Sequence, residues 1–486
     1  MKELLNLVFE LAGEILKGGF SAINSLFSVL LRKDHRLKAT FGKPRSVLSS
    51  NNKGFNVNGK SLTPKMSRQG LLIAGETGSF KTAGSLMKSV MTVDGCQIVH
   101  APTSEVFDKT SGARAERGDK ILVFNPTNPS QSLSFNPLLR ANTLAQINQL
   151  SSKLISLFSA KSEKNSFWSS KATELLTVIM LILKKVDSVY QTLPNVAHLL
   201  DYLASESSRG YVDALFADKA DDWLFAKYNS LISQSDNALS GVISSCQTSV
   251  QLFDLDDDIR QIVSSDSIGD FAQLRKEPTT LYLISSTVKM DYYAPLMSLF
   301  LEQYFESFFA ELPMDEDYDV YFHLDEAPVL KLDNLDTICA NVRKHRGNIC
   351  CVGQDPYSQF ARIYGNDARD SILANLKTKV YFSTTLEQVK RLEQIMGSFE
   401  FQDDYNEAKR TVRSLMTVDE ILTIPENKLL IHISGKRPMV TTFKPYFKES
   451  KYKRLSELPA HEIEQTNHSP ARLLPLKEMY PQNSAS

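Results

Sequence analysis

A glycine-rich segment near the start of the chain has the residue types of a phosphate-binding loop. In such a loop Gly75 permits a sharp turn, and the backbone amides that follow point at the β-phosphate, helped by the dipole of the next helix. Lys81 would bridge the β- and γ-phosphates, and the Thr82 hydroxyl would ligate Mg²⁺. The pattern predicts an ATP site, with a solvent-facing turn as the alternative. The segment reads Gly75-Glu76-Thr77-Gly78-Ser79-Phe80-Lys81-Thr82 and follows a short apolar run.

One residue of this loop departs from the pattern. Phe80 stands where the motif has its second glycine, at a point where the backbone passes close to the phosphates. A side chain there would crowd the nucleotide or, if its φ is positive, cost about 1–3 kcal/mol of strain. Because Lys81 and Thr82 are retained, we expect a nucleotide site whose use of ATP is weakened or specialised.

Two adjacent carboxylates, Asp325 and Glu326, end a mostly apolar run at 320–324. This is the Walker B arrangement, in which Asp325 would hold Mg²⁺ through water and Glu326 would polarise the attacking water as general base. A strand that merely ends in an acidic loop is the alternative, and the presence of the phosphate-loop pattern disfavours it. His323, inside the run, is expected to be a packed core histidine.

Polar residues also border the next apolar run, at 349–353. Gln354 ends this run and is predicted to sense the γ-phosphate from the strand beside Asp325. Arg343 and Arg346 lie just before the run. In a ring of subunits, one of these two arginines would reach the neighbour's nucleotide as an arginine finger. A solvated basic turn is an equally good interpretation of the arginines.

A parallel β-sheet would bring these motifs together. Short apolar runs alternate with helix-compatible sequence, which is the βαβ rhythm of a parallel sheet. Between 141 and 262 the strand signals disappear and helical spacing replaces them. We therefore predict an α/β fold in which a nucleotide-binding domain, 68–140 and 263–447, is split by an all-α domain, 141–262. The predicted strands are 71–74, 97–100, 120–124, 280–285, 320–324, 349–353, 379–384 and 429–434.

Three further segments flank this core. Residues 1–33 place apolar residues at helical spacing but include charges, so no run reaches the roughly 18–20 apolar residues of a membrane span. They predict an amphipathic helix that either packs on protein or lies at a membrane interface. Residues 34–67 are predicted to be a linker or arm with little core of its own. Residues 448–486 are predicted to be a loosely held polar tail.

The composition limits the partners of the chain. Its 486 residues carry a formal net charge of −1, so no global basic field attracts it to nucleic acid. Any contact with DNA must come from a local patch or from a pore created by assembly. The cysteines number five and none lies in a CxxC pair, which predicts buried thiols in a reducing cytosol more than a zinc or redox site.

In their order along the chain, the motifs resemble those of type IV coupling proteins, the TraG/TraD family of conjugative and type IV secretion ATPases within the FtsK–HerA group. The resemblance covers about residues 68–447 and does not depend on the phosphate loop alone. Besides the motifs above, the matching segments are His100-Ala101-Pro102-Thr103-Ser104-Glu105 in the slot of the family's Asp-Pro-Lys-Gly-Glu, Val123-Phe124-Asn125-Pro126, Ser134-Phe135-Asn136-Pro137-Leu138, Phe167-Trp168, 343–347, 414–421 and 433–438.

The resemblance implies a RecA-like core that uses ATP and Mg²⁺ and assembles into a homo-hexamer. It implies that single-stranded DNA or a protein substrate, presented by a relaxase or adaptors, passes to type IV secretion channel subunits at the inner face of the cytoplasmic membrane. Its all-α domain would recognise the substrate or relaxosome.

Three departures from the family pattern favour a second hypothesis. Residues 1–33 do not match the family's usual pair of transmembrane helices, Phe80 replaces a loop glycine, and the segment 100–103 lacks the family's Asp-Pro-Lys. The second hypothesis is a weakly hydrolysing or non-hydrolysing docking platform for adaptors and substrates. A helicase-like motor unrelated to secretion is a third.

Overall fold

The architecture centres on one large β-sheet. The computed structural model describes residues 38–158, 167–403 and 406–481, so the predicted helix at 1–33 lies outside the described residues. Within these ranges the strands are β1 (Leu71–Ala74), β2 (Cys96–Ala101), β3 (Lys120–Phe124), β4 (Thr279–Ile284), β5 (Val320–Leu324), β6 (Gly347–Gly353), β7 (Thr378–Tyr381), β8 (Ser398–Asp403), β9 (Asn406–Ser414), β10 (Lys428–Ile433) and β11 (Met439–Thr442). A nine-stranded sheet has the order β11-β10-β7-β1-β6-β5-β2-β4-β3, and β8 and β9 form a separate hairpin.

Burial explains why the interior strands are continuous apolar runs. Every residue of β1, β2, β4, β5, β6 and β7 is buried. The strands from β7 to β3 run parallel, whereas β10 and β11 add antiparallel pairs at one edge. Parallel strands that are covered on both faces need apolar side chains on both faces. The predicted α/β fold with a mainly parallel sheet is confirmed.

Each of the eight predicted strands is present, and every boundary lies within about three residues of its prediction. The prediction missed β8, β9 and β11. β8 and β9 form the separate hairpin, and β11 lies at the sheet edge. β8 alternates phenylalanine with polar residues, β9 is mostly polar, and β11 has two apolar residues. Without a continuous apolar run, they gave no strand signal that stood out from loop sequence.

Helices cover the sheet and fill the chain between β3 and β4. The described residues of that region form no strand, as predicted. The helices are α1 (Pro64–Ser67), α2 (Met87–Thr92), α3 (Glu105–Glu116), α4 (Pro137–Arg140), α5 (Leu144–Phe158), α6 (Phe167–Leu183), α7 (Leu193–Ala204), α8 (Glu206–Lys219), α9 (Asp222–Ile232), α10 (Asp236–Leu255), α11 (Asp257–Ile262), α12 (Met290–Ala310), α13 (Leu335–Asn341), α14 (Pro356–Tyr364), α15 (Asn366–Asn375), α16 (Leu386–Met396), α17 (Val418–Leu422), α18 (Ser450–Ser456) and α19 (Leu476–Met479).

We call the helices from α5 to α11 the helical block. The chain leaves the sheet to form this block and returns to the sheet at the same place. Arg140, just before the block, forms an ion pair with Asp266, just after it, at 2.5 Å. The amide of Asn136 donates to the same carboxylate at 3.3 Å. We call these contacts the Arg140–Asp266 clasp. One hydrophobic cluster continues from the block into the adjoining face of the sheet, so the two regions share a core.

The arm at 34–67 was predicted to have little core of its own, and for its described residues this prediction is wrong. Phe55, Val57 and Leu62 are fully buried. The Phe55 ring packs edge-on against Tyr321 of β5, with ring centroids 5.3 Å apart. Because the apolar residues of the arm are isolated and follow neither a helix nor a strand period, the sequence pattern did not reveal them.

The tail was predicted to be loosely held, and for residues 448–481 this prediction is wrong. Tyr452 is buried and donates a hydrogen bond to the carbonyl of Gly59 at 2.9 Å. Further along, Leu474 and Leu476 join the shared core. Asn195 of α7 accepts from the Leu474 amide at 2.8 Å. Polar composition misled the prediction because the residues that attach this segment, such as Tyr452, Leu474 and Leu476, are separated and form no apolar run.

Two further expectations concern the environment of the chain. All five cysteines are buried, as predicted. Among the helices in residues 38–158, 167–403 and 406–481, none combines the length and the hydropathy needed to cross a membrane.

A buried ion pair attaches the start of the tail to α2. The ammonium of Lys88, which is fully buried, contacts the carboxylate of Glu449 and donates to the carbonyl of Lys444 at 2.6 Å. Removing one partner leaves a buried charge without compensation, so we expect Glu449→Ala to lower the free energy of unfolding by about 3 kcal/mol. Urea denaturation measures this change. The control is Glu457→Ala, which removes an exposed pair with Lys453 and should leave the denaturation midpoint unchanged. An equal effect of both substitutions would contradict the prediction.

Candidate nucleotide-binding site

The predicted phosphate loop leaves the carboxyl end of β1, between β6 and β7. The Gly75 amide donates to the Gly353 carbonyl of β6 at 3.3 Å. On the other side, the Glu76 amide donates to the Ser383 hydroxyl, just after β7, at 2.7 Å. The loop is therefore fixed to both neighbouring strands at the edge of the sheet where parallel α/β proteins bind ligands.

Phe80 adopts the positive-φ conformation that its position demands. Its φ is 63°, in the left-handed region where a phenylalanine is strained. The ring is 44% exposed and packs edge-on against Phe447, with ring centroids 6.2 Å apart. Gly75, by contrast, is required by space, because a Cβ there would lie 2.7 Å from the Ser79 hydroxyl. Two effects were predicted for Phe80, crowding of the nucleotide and backbone strain, and the structure shows the backbone strain.

Lys81 and Thr82 connect the loop to the Walker B carboxylates. The Lys81 ammonium donates to the carbonyls of Gly75 at 2.6 Å and Glu76 at 3.0 Å. Burial lowers the pKa of Lys81, and the nearby carboxylates, Glu326 foremost, oppose that decrease. The Thr82 hydroxyl donates to Asp325 Oδ2 at 3.1 Å. The structure thus brings both halves of the predicted site together.

The two Walker B carboxylates are adjacent; Asp325 is buried and Glu326 is partly buried. Burial, and then the charge of Glu326, raise the pKa of Asp325 to about 6, while Thr82 and Lys81 oppose that rise. Burial also raises the pKa of Glu326, against the effects of Lys81 and the Gln354 side chain. Glu326 has a φ of 51°, so its position is another point of backbone strain. Gln354 lies beside the predicted general base, as expected.

His100 contributes a contact that the sequence did not predict. It is the last residue but one of β2, next to β5, and its Nδ1 donates to the Asp325 carbonyl at 2.9 Å. Burial lowers the pKa of His100 to about 4, so the ring is neutral at pH 7. The ring therefore holds the backbone of Asp325 in place. Sequence reasoning treated His100 only as a departure from the family pattern, because the contact is visible only once β2 and β5 are known to be neighbours. His323 is buried against the Phe55 ring, as predicted.

Arg343 and Arg346 are not close to the phosphate loop within one chain. They precede β6 and therefore lie at the opposite edge of the sheet. Arg346 forms an ion pair with Asp319 at 3.0 Å and donates to two neighbouring carbonyls. Arg343 lines a separate cavity of about 420 Å³ together with Arg68 and Lys377. The arginine-finger role needs a second subunit and stays a prediction.

The residues present suit a magnesium–nucleotide complex. The loop borders a cleft of about 370 Å³ whose other walls come from Phe382 and from Ile421 of α17. The Thr82 hydroxyl and the Asp325 carboxylate are oxygen ligands of the kind that Mg²⁺ prefers. Lys81 supplies the cation that phosphates require. The fold and the site together have the arrangement expected of a P-loop nucleotide-binding protein.

The chain belongs to the family described as Type IV secretory system Conjugative DNA transfer, whose model matches residues 23–471. Two curated relatives, each named Protein VirD4, come from Rhizobium rhizogenes and Agrobacterium fabrum. Each is 23% identical over 415 residues, which cover 79% of this chain and 60% of the relative. The chain therefore spans about 60% of the length of these curated relatives. The resemblance to type IV coupling proteins is confirmed.

Solved structures show the same fold. The bacterial conjugative coupling protein TrwBdeltaN70, in complex with sulphate, has a TM-score of 0.68 at 14% identity and covers 89% of this chain and 97% of its own. The plasmid coupling protein TrwB in complex with ADP and Mg²⁺ has a TM-score of 0.64 at 16% identity and covers 88% and 93%. At these identities the likeness shows the fold, and the bound nucleotide is a property of TrwB.

We expect magnesium-dependent nucleotide binding to weaken below pH 6. The pKa of Asp325 is raised to about 6, so the charged form that attracts Mg²⁺ exists above that pH and is lost as pH falls through it. From pH 7 to pH 5 the gain in ADP affinity produced by Mg²⁺ should fall by about tenfold, as titration of one carboxyl requires. Isothermal calorimetry with and without Mg²⁺ measures this. Asp325→Asn should abolish the gain in ADP affinity produced by Mg²⁺ at both pH values. A pH dependence that persists in this variant would show that a group other than Asp325 causes it.

Two substitutions at Phe80 separate strain from ring packing. Phe80→Ala removes the ring but keeps a Cβ at positive φ, whereas Phe80→Gly removes both. We therefore expect Phe80→Gly to be more stable than Phe80→Ala by about 1 kcal/mol. Thermal unfolding of both variants measures the difference, and equal stabilities would show that the loop is not strained. Equal ADP affinities of Phe80→Gly and the unmodified chain would show that the loop already accommodates phenylalanine.

Proposed function

We propose that this chain is a coupling ATPase that recruits DNA or protein substrates and helps to translocate them to a type IV secretion channel. The observation that carries the proposal is the contact between Thr82 and Asp325, beside Glu326. This contact joins a phosphate loop to a metal-binding carboxylate and a general base. Membership of the conjugative DNA transfer family supplies the substrate class.

The predicted residues of the phosphate loop and the Walker B strand, together with Gln354, each have a role in this proposal. Lys81 holds the β- and γ-phosphates of ATP, and Glu326 orients and deprotonates the attacking water. Gln354, beside Glu326, responds to the γ-phosphate. Thr82 and Asp325 would hold Mg²⁺, which when bound neutralises charge on the phosphates. The remaining loop residues bind phosphate through their backbone: Gly75, Glu76, Thr77, Gly78, Ser79 and Phe80.

A homo-hexamer would complete this site with an arginine from the neighbouring subunit. Of the two candidates, Arg346 is already paired with Asp319. Arg343 has no ion pair among the contacts of the described residues, and it lines a cavity of about 420 Å³. Arg343 is therefore the better arginine finger, and Arg346 is better explained as a structural residue.

The substrates follow from the family and the charge. With a net charge of −1, the chain would contact single-stranded DNA through a pore or local patch, mainly at the phosphate backbone, so binding would weaken with salt. A relaxase or adaptors would present the substrate to the helical block. The assembly would lie at the inner face of the cytoplasmic membrane, where residues 1–33 contact lipid or a membrane subunit.

A docking platform that hydrolyses ATP weakly or not at all is the second candidate. The strained φ of Phe80 favours it, because strain in the loop that holds the phosphates raises the cost of ordering the site. Both candidates bind nucleotide, adaptors and substrates. They differ in turnover, which makes hydrolysis the measurement that separates them.

The decisive experiment is ATP hydrolysis by the purified protein with and without single-stranded DNA. We expect DNA-stimulated turnover that Lys81→Ala abolishes through loss of phosphate binding. Glu326→Gln should retain ATP binding but lose at least about a hundredfold in kcat, as removal of a general base does. Lys120→Ala, at an exposed ion pair on the edge strand β3, is the control and should turn over normally. Equal residual rates in all variants would exclude the motor and leave the platform.

The same assay tests the arginine finger. Arg343→Ala should reduce hydrolysis only in the assembled state, whereas Lys344→Ala, one residue away in the same turn, should not. Mixing Arg343→Ala with Glu326→Gln subunits should restore some activity, since each subunit supplies what the other lacks. Identical rates for Arg343→Ala and Lys344→Ala would exclude Arg343 from the role.

A further inference from the structure

The segment that follows the general base is strained along its length. Glu326 leads into a single 3₁₀ turn, Ala327–Leu330, and Lys331 ends it with a φ of 48°. Asn334, at the start of α13, has a φ of 57°. Non-glycine residues persist in this region of φ only where surrounding contacts hold them. We call residues 326–334 the base segment, and the contacts that hold it fix the position of Glu326.

A buried lysine from the helical block makes several of these contacts. Lys153 lies on α5, and its side chain is only 3% exposed. Its ammonium donates to the Lys331 carbonyl at 2.9 Å, at the strained end of the turn. It also pairs with Asp333 at 3.2 Å and with Glu302 at 2.6 Å. One cation therefore binds a backbone carbonyl and a side chain of the base segment.

Helix α12 supplies the opposite side of this arrangement. Glu302, besides pairing with Lys153, accepts a hydrogen bond from the Asp333 amide at 2.6 Å. The Ser298 hydroxyl donates to the Leu330 carbonyl, one residue before Lys331. The base segment thus lies between two helices, and Lys153 is the contact that comes from the helical block.

We infer that Lys153 is a positioning residue for hydrolysis: by holding the Lys331 carbonyl and Asp333, it keeps Glu326 in the orientation that activates water. The inference deepens the proposed function and rests on it, because it concerns the rate at which Glu326 acts. It also gives the helical block a direct mechanical connection to the catalytic carboxylate. A shift of α5 would move the ammonium, and with it the carbonyl five residues after Glu326.

Lys153→Met tests this role, with Lys171→Met as the matched control. Lys171 also lies in the helical block, but its pair with Glu174 is partly exposed and is formed within a single helix. For Lys153→Met we expect kcat for ATP to fall by about tenfold to a hundredfold, the size of effect that misplaced catalytic groups produce. The affinity for Mg²⁺–ADP should stay within about twofold, because the phosphate loop is untouched.

Hydrogen exchange supplies a readout that does not need turnover. Amides of the base segment should exchange faster in Lys153→Met, while those of residues 75–82 should exchange at the rate of the unmodified chain. Asp333→Asn, at a side chain that is half exposed, should produce the same pattern with a smaller decrease in kcat. If Lys153→Met does not fold, Asp333→Asn still tests the inference.

Unchanged kcat and unchanged exchange in these variants would overturn the inference. A parallel loss of ADP binding and of protection throughout the chain would also overturn it, since that pattern means general destabilisation. If the unmodified protein shows no hydrolysis, the proposed function fails. The exchange measurement then still decides whether Lys153 holds the base segment.

Discussion

The hydrogen bond from Thr82 to Asp325 joins two residues that are 243 positions apart, and the site exists only because the sheet brings them together. β1 and β5 are separated by one strand, β6, and all three run in the same direction. Their carboxyl ends therefore meet at one edge, where each supplies one functional group. Any arrangement that changed the order or direction of these strands would separate the loop from the carboxylates.

Because these groups meet at one edge of the sheet, several unfavourable contributions to the folding free energy occur close together. The buried Asp325 is next to the partly buried Glu326, and Phe80 and Glu326 both have positive φ. The surrounding structure holds these residues with contacts from several directions: Ser383 holds the loop, His100 holds the Asp325 backbone, and Lys153 holds the segment after Glu326. Strain and burial of this kind are typical of functional sites, where geometry is maintained against local preference.

The sequence predicted those features whose signal is local. Interior strands such as β1 and β5 are apolar runs because both of their faces are buried, and the phosphate loop and the Walker B pair directly follow such runs. The role of His100, the packing of the arm through Phe55 and the attachment of the tail depend on which distant segments become neighbours. One chain without its homologues contains no local pattern for such contacts. Arg343 and Arg346 were equivalent in sequence, and the ion pair with Asp319 distinguished them.

The Arg140–Asp266 clasp has a consequence for how such proteins diversify. Because the helical block enters and leaves between β3 and β4 at one fixed point, its length and surface can change without altering the register of any strand. Under the proposed function, in which the block recognises the substrate, substrate preference can evolve separately from the nucleotide site. The limit on this freedom is the surface where the block meets the sheet: an exchanged block must still present a cation at the place of Lys153. A chimaera that keeps a cation at this position would exchange the surface of the helical block while leaving the contacts of the base segment in place.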